Sequence, residues 1–215
     1  MIQQLEADGI QLQFGNRVIL SDVYLSCAKG SIIGLLGRNG SGKSCLLQVI
    51  FGSLSCEKSI RINRVSSNEA YKNPNLISYL PQFHFIPNSL TLKDIFKLYA
   101  LDYTIFEHQF PSFRIPMHQV FRNLSGGEKR LIEIYIIVES SAKFALLDEP
   151  FTFLNPIQIE TVKSYIQLKK ISKGIVITDH LYKHVLEISN TNYVLVNGKT
   201  HVMNQFSDIE RLGYI

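Results

Sequence analysis

The spacing of apolar and polar residues divides the chain into a β-rich start, a helical middle and an α/β remainder. Apolar and polar residues alternate up to about Lys29, and this period of two predicts antiparallel strands. Mostly apolar runs without alternation follow at residues 31–36, 144–147 and 174–178. Such runs are typical of strands that are buried on both faces of a parallel sheet. The pattern therefore predicts an α/β protein that opens with an antiparallel β-subdomain.

Capping residues indicate where helices begin. Thr91 and Asp94 fit a capping box that opens a helix to about Tyr99, and Ser125 opens a longer helix to about Glu139. A helix is also predicted at residues 45–51.

The last third carries its own turn and helix signals. Asn155 followed by Pro156 predicts a helix to about Lys170. Asn197-Gly198 between two apolar segments predicts a hairpin with a type I′ turn. Ser207-Asp208-Ile209-Glu210 fits a second capping box, with Gly213 as the helix end.

Composition narrows the class of protein. The chain has 215 residues, of which 46% are hydrophobic, so one α/β domain with a sizeable core is expected. A net charge of +4 without a basic run does not indicate a nucleic-acid partner. The sequence shows neither a run of about 20 apolar residues nor a signal-peptide pattern at its start. We therefore expect a cytoplasmic protein that reaches any membrane through another chain. The three cysteines form no CxxC pair, so neither disulfides nor zinc are expected.

A phosphate-binding loop lies between the first buried strand and the first helix. Glycines allow consecutive N–H groups to surround phosphate oxygens at a helix N-terminus. In such a loop Lys43 would reach the β- and γ-phosphates and Ser44 would bind Mg²⁺. The alternative is a glycine-rich turn without a ligand. The loop comprises Gly37, Arg38, Asn39, Gly40, Ser41, Gly42, Lys43 and Ser44.

Two carboxylates follow the strand at residues 144–147. Asp148 is placed to hold Mg²⁺, directly or through water, and Glu149 to act as a general base for an attacking water. The alternative is a helix cap or a solvated loop. The loop upstream favours the catalytic interpretation, because the two features together make a nucleotide site.

A second candidate anion site lies at the start of the helix at Ser125. Two glycines bring backbone N–H groups to a helix N-terminus, where the dipole favours negative charge. One chain with one phosphate loop has no use for a second such site, so we expect two chains to pair head to tail. The segment comprises Leu124, Ser125, Gly126, Gly127 and Glu128.

Together and in this order, the three motifs resemble the nucleotide-binding subunits of ATP-binding cassette (ABC) transporters over almost the whole chain. The resemblance implies an α/β P-loop NTPase core at residues 1–82 and 140–215, including the antiparallel β-subdomain, with an inserted α-helical subdomain at 83–139. It also implies ATP and Mg²⁺ as ligands. Two cassettes, identical or paralogous, would dimerise on ATP, and this closure would drive a separate integral-membrane permease from the inner face of the membrane. Hydrolysis assisted by Glu149 would reopen the dimer.

Among subfamilies, residues 147–151 and 177–180 are most similar to the ATPases of branched-chain amino-acid import and lipopolysaccharide export. Such motifs serve the ATPase and leave the cargo open.

The resemblance also assigns single residues. Phe14 would stack on adenine, although an ordinary strand residue is the alternative. Gln82 would sense Mg²⁺ and the γ-phosphate and link to the permease, and His180 would contact the γ-phosphate. Residues 151–155 would cross the dimer interface, and Cys45 would contact the α-phosphate. The implied catalytic residues are Lys43, Gln82, Glu149 and His180, and the implied metal ligands are Ser44, Gln82 and Asp148.

The chain departs from the family pattern at several positions. Asn155 stands where Asp is usual, which keeps the cap but removes a charge at the dimer interface. Cys45 replaces Thr or Ser, and we expect its thiol to be unusually reactive beside the helix N-terminus. The helix after Gly127 is bulkier and more apolar than usual. We expect residues 83–87 to line the groove that receives a permease helix, with packing inside the helical subdomain as the alternative.

Two other classes of function stay open. One is a non-transport ABC ATPase, against which the single cassette and the lack of sustained heptads argue. The other is a nucleotide-gated binding module that hydrolyses little, with Asn155 and Cys45 as its signs. The full set of catalytic residues argues against this second class.

Overall fold

Two β-sheets frame the protein in the computed structural model, which describes residues 3–213. The first sheet has the strand order β2-β1-β4-β5, and all neighbouring strands are antiparallel. Its alternating burial reproduces the alternation of the sequence, which confirms the predicted antiparallel β-subdomain. The strands are β1 (Gln4–Phe14), β2 (Arg17–Ala28), β4 (Glu57–Ile62) and β5 (Val65–Ser66).

The second sheet has the order β10-β9-β3-β8-β7-β6 and is parallel except for the last hairpin. Every residue of β3, β7 and β8 is buried, as the apolar runs predict. The carboxyl ends of its parallel strands meet at one edge, where ligands bind in open α/β sheets. The strands are β3 (Ile32–Leu36), β6 (Ile77–Leu80), β7 (Phe144–Asp148), β8 (Gly174–Thr178), β9 (Thr191–Val196) and β10 (Lys199–Met203).

Helices cover the parallel sheet, and three of the predicted N-caps are confirmed. Thr91, Ser125 and Asn155 each take part in a reciprocal capping box with the residue three positions later. Helices α3 and α6 lie outside the predicted set. The helices are α1 (Lys43–Phe51), α2 (Leu92–Leu98), α3 (Tyr103–Gln109), α4 (Gly126–Glu139), α5 (Pro156–Lys169), α6 (Tyr182–Ile188) and α7 (Ser207–Arg211).

The helical segment between β6 and β7 is joined to the sheet by one apolar cluster. Aromatic rings on α2, α4 and α5, on α3 and directly after α3 contact one another with centroids 5.0–6.1 Å apart. These rings belong to Phe96, Phe106, Phe110, Tyr135 and Tyr165. The division into a core and a helical subdomain at 83–139 stays a prediction, since this cluster runs across it.

Of the two predictions for the end of the chain, a hairpin turn and a helix capping box, one is confirmed and one is wrong. The predicted type I′ hairpin is confirmed, because Asn197 and Gly198 both adopt positive φ, 49° and 77°. The predicted capping box at Ser207 is wrong. Helix α7 already includes Ser207, and the Asp208 carboxylate instead accepts the N–H groups of the two residues before Phe206.

Among residues 3–213, no helix is both long and apolar enough to cross a bilayer.

Candidate active site

The loop between β3 and α1 has the backbone of a phosphate cradle. Gly42 has φ +104°, a region that L side chains rarely adopt. A Cβ at Gly37 would lie 2.6 Å from the Ser41 hydroxyl and 2.8 Å from the Leu195 carbonyl, so only glycine fits there. The loop is thus shaped by close backbone approach, as binding through N–H groups requires.

Lys43 and Ser41 supply polar groups to this cradle. The Lys43 ammonium is largely buried and donates to the carbonyls of Gly37, at 2.7 Å, and Arg38, at 3.2 Å. Burial lowers the pKa of Lys43, although the nearby carboxylates of Glu149 and others oppose this shift. The buried Ser41 hydroxyl lacks a hydrogen-bond partner within the described part of the chain. A buried cation and a buried donor without a partner both fit an anionic phosphate.

Asp148 ends β7 next to Ser44. Its two oxygens accept hydrogen bonds from the Ser44 hydroxyl and the Tyr79 hydroxyl, both at 3.1 Å. Burial raises the pKa of Asp148, and these two hydrogen bonds act in the opposite direction. A hydroxyl and a carboxylate in contact are the oxygen ligands that Mg²⁺ prefers, so the pair fits the ion. The sequence did not reveal Tyr79 as a partner of this site.

Glu149 is held in a strained position between two other candidate residues. It has φ +50°, and its N–H donates to the Thr178 carbonyl at 2.8 Å. Its Oε2 accepts from Gln82 Nε2 at 3.0 Å and lies 3.8 Å from His180 Nδ1. Non-glycine residues in this backbone region often occur at functional sites. The ends of β6, β7 and β8 therefore bring Gln82, Glu149 and His180 together.

These residues share one cavity of about 510 Å³ with most of the phosphate loop. Phe14 lies at its rim with 52% of its surface exposed, which leaves a ring face free for stacking. Arg17 and Ile19 also line the cavity, and sequence reasoning missed both. The signal was the position of Arg17 three residues after Phe14, across a tight turn. The lining is completed by Asn39, Gly40, Gly42, Lys43, Ser44, Cys45, Gln82, Glu149 and His180.

The residues from Leu124 to Glu128 do not line this cavity. Ser125 and Glu128 satisfy each other's N–H groups at the start of α4. Gly127 packs so closely that a Cβ there would lie 2.9 Å from the Phe153 carbonyl. The segment is therefore separate from the chain's own phosphate loop, as the head-to-tail hypothesis requires, and its role stays a prediction.

Arg130 is a buried residue that sequence reasoning did not select. Its guanidinium donates to the carbonyl of Pro81 at 2.7 Å and to those of Asp148 and Glu149 at 2.6 and 2.9 Å. Glu133 lies 3.6 Å away with both side chains fully buried. Arg130 thus fixes the main chain beside Gln82 to the main chain of the two carboxylates. An arginine in an otherwise apolar helix face was the available signal.

Asp179 fixes the main chain on either side of His180 and after Glu149, much as Arg130 fixes the main chain beside Gln82. This buried carboxylate accepts the N–H groups of Phe151 and Leu181, both at 2.9 Å, and lies 3.3 Å from His180 Nδ1. Burial raises the pKa of Asp179. The residue therefore joins the loop after Glu149 to the loop that carries His180.

The expectation of an unusually reactive Cys45 is wrong. Burial and the nearby Asp148 carboxylate both raise the pKa of this thiol. With its pKa raised, the thiolate is scarcer than in a free cysteine.

Some of residues 83–87 suit a contact with a permease helix, and others suit packing inside the helical subdomain. Phe83 has 78% of its surface exposed, which suits a contact with another chain. Ile86 is buried and Phe85 is packed against the helical cluster, as internal packing predicts.

Comparisons with known proteins agree with this architecture. A family model described as ABC transporter matches residues 20–152. The lipopolysaccharide export system ATP-binding protein LptB of Haemophilus influenzae is 30% identical over 217 residues, covering 91% of this chain and 88% of that protein. LptB of Escherichia coli K12 is 29% identical over 215 residues, covering 90% and 87%. These relatives confirm the expected resemblance to lipopolysaccharide-export ATPases.

Another relative is a probable ABC transporter ATP-binding protein of Azorhizobium caulinodans, 30% identical over 213 residues, covering 90% of this chain and 74% of that protein. A solved ATP-binding subunit of an ABC transporter superposes with a TM-score of 0.81 at 23% identity, covering 96% of this chain and 92% of its own. At that identity the likeness concerns the fold, and it confirms the predicted P-loop NTPase class.

Proposed function

This chain belongs to the ABC transporter family, as an ATP-binding subunit, and we propose that it hydrolyses ATP to drive a separate membrane permease. One observation carries the proposal. The phosphate loop and the side chains of Asp148, Glu149, Gln82 and His180 converge at one edge of the parallel sheet. Such convergence of a cation, two carboxylates and a histidine suits phosphoryl transfer to water.

The residues divide the chemical work as follows. Backbone N–H groups of the loop and the Lys43 ammonium bind the phosphates, and the ring of Phe14 stacks on the base. Ser44 and Asp148, with Gln82, would hold Mg²⁺, which neutralises charge on the phosphates when bound. Glu149 accepts a proton from the attacking water.

Gln82 and His180 act around Glu149. The hydrogen bond from Gln82 holds the Glu149 carboxylate at a fixed position. His180 Nδ1 lies 3.8 Å from Oε2 of Glu149, the oxygen that accepts from Gln82, and His180 is placed to contact the γ-phosphate. Because the three side chains come from three strands, a shift of any strand end changes their mutual geometry.

A second cassette completes the site. Ser125, Gly126 and Gly127 offer a helix N-terminus that lies apart from the chain's own loop, and in a head-to-tail pair they would cap the nucleotide of the partner. ATP drives this closure only if it binds the closed pair better than the open one. The partner is a second copy of this chain or a paralogue.

The permease contact is proposed at Phe83. Its ring is exposed, and it follows directly after Gln82, so a permease helix seated there would act on the residue that holds Glu149. Phe83→Asp tests the contact without disturbing packing, whereas Phe85 is packed against the helical cluster. We expect the variant to fold normally by circular dichroism and to lose co-purification with its permease. Retained co-purification would contradict the contact.

The hydrolysis proposal is tested by phosphate release from purified protein. Glu149→Gln is expected to lower kcat about 100-fold or more, in the range lost with a general base. ATP affinity should persist, since the loop and Lys43 are unchanged. Glu210→Gln, an exposed glutamate on α7, is the matched control and should keep full turnover. Equal turnover in the unaltered chain and Glu149→Gln would refute the assignment, and no turnover in either would favour a binding module.

A further inference from the structure

Phe153 adopts a backbone conformation that its side chain disfavours. Its φ is +71°, in the left-handed region that glycine adopts readily and bulky residues rarely adopt. The ring is not sheltered in the core, because 58% of the residue's surface is exposed. Strain of this kind persists only where the surroundings hold it.

Two contacts hold Phe153 in place. Its ring is stacked on the imidazole of His84, with centroids 5.3 Å apart and planes 28° from parallel. Its Cβ and Cγ lie 3.3 Å from where a Cβ of Gly126 would be, so the start of α4 packs against it. The loop after Glu149 thereby touches both the segment after Gln82 and the segment proposed to cap the partner's nucleotide.

His84 is itself held firmly. Its Nδ1 lies 2.9 Å from an oxygen of Glu133, and the other oxygen of that carboxylate accepts the Phe85 N–H at 2.9 Å. Glu133 is fully buried and lies 3.6 Å from the Arg130 guanidinium. A buried carboxylate with these partners fixes the orientation of the imidazole ring.

Two contacts and two short stretches of backbone connect Gln82, His84, Phe153 and Glu149 in a closed cycle. Gln82, two residues before His84, donates to Glu149, and Phe153 follows Glu149 by four residues. We propose that the His84–Phe153 stack is a bridge that positions Gln82 and Glu149 relative to each other for hydrolysis. The inference rests on the proposed function. Both bridge residues are positioning residues, since neither lines the nucleotide cavity.

A double-mutant cycle tests the bridge through turnover. His84→Asn keeps a polar partner for Glu133 and removes the stacked ring, whereas Phe153→Gly removes the ring and keeps the left-handed backbone. Each is expected to lower kcat about 3- to 10-fold, the range of one aromatic pair, with KM for ATP unchanged. The double variant should be no slower than the slower single variant. Independent, multiplicative losses would overturn the proposal.

Thermal unfolding separates positioning from ordinary packing. Phe153→Gly removes the backbone strain, so its melting temperature should equal or exceed that of the unaltered chain while kcat falls. A merely structural role would lower both together and would overturn the proposal. Arg64→Gly is the matched control, because Arg64 has φ +66° in the exposed turn between β4 and β5. It should show a similar thermal effect with unchanged kcat.

The two proposals fail in different ways. Absence of turnover in the unaltered chain refutes the proposed hydrolysis. In that case the unfolding cycle of His84→Asn and Phe153→Gly still decides whether the contact exists. Additive changes in unfolding would overturn the bridge, and coupled changes would support it.

Discussion

Replacing Arg130 with methionine is expected to lower the free energy of unfolding by about 3 to 5 kcal/mol. The fully buried guanidinium donates three hydrogen bonds, to the carbonyls of Pro81, Asp148 and Glu149 at 2.6–2.9 Å. Methionine has similar length but leaves these carbonyls and the buried Glu133 carboxylate without their charged partner. Breaking a buried ion pair at one side costs about 3–5 kcal/mol, because the remaining charge stays desolvated.

Urea unfolding followed by circular dichroism measures the loss. Arg114→Met, at an exposed position, is the matched control and should stay within about 0.5 kcal/mol of the unaltered chain. Adding Glu133→Gln to Arg130→Met should recover part of the loss, since it removes the buried charge. A loss below about 1 kcal/mol with an unchanged denaturant slope would refute the reasoning, because the guanidinium would then be replaceable by water.

Three further changes have defined outcomes. Burial lowers the pKa of Lys173 to about 8. Above that pH the unfolded chain therefore binds more protons than the folded chain. In urea titrations, the free energy of unfolding relative to that of Lys173→Met should rise by about 2 kcal/mol from pH 7 to 9.5. A difference that stays constant with pH would contradict this. Cys45, with a raised pKa, should react with maleimide more slowly than free cysteine at pH 7, and more slowly still with ATP. Thr91→Ala should cost about 1 kcal/mol in urea unfolding, whereas Thr161→Ala inside α5 should cost nearly nothing.

Much of the site could be predicted because its signals are local in the chain. The phosphate loop depends on glycines at fixed spacing, and the capping boxes at Thr91 and Ser125 depend on residues three apart. Asp148 ends the buried strand β7 and His180 lies two residues after the buried strand β8, so the topology of a parallel sheet brings them to one edge. Motif order then indicated the family, and the comparisons agree.

The rest depends on contacts between distant parts of the chain. Tyr79 reaches Asp148 across 69 residues, and Arg130 reaches Pro81 across 49. Contacts between residues this far apart in the sequence are not visible in the local pattern of apolar and polar residues. The reactivity expected for Cys45 was wrong for the same reason, because the burial and the carboxylate that raise its pKa come from the folded surroundings. The Ser207 cap was wrong because α7 already includes Ser207, and the Asp208 carboxylate accepts the N–H groups of Asn204 and Gln205 ahead of the helix.

Strain was equally hidden in the sequence. Glu149 and Phe153 both adopt positive φ, although neither residue type favours it. Both belong to the loop after β7, where Thr178, His84 and Gly126 hold the backbone. A disfavoured conformation imposed by three separate segments can be recognised only after they are assembled.

The most direct measurement is the mass of the Glu149→Gln variant in solution with and without ATP and Mg²⁺, by light scattering. The variant should retain nucleotide while hydrolysis is blocked. We expect a monomer of 24.5 kDa without nucleotide and a dimer of twice that mass with it. Serine-to-arginine replacement at Ser125 in the same background should abolish the dimer, since it blocks the proposed cap on the partner's nucleotide. A variant that binds ATP and stays monomeric would contradict a homodimeric ATPase.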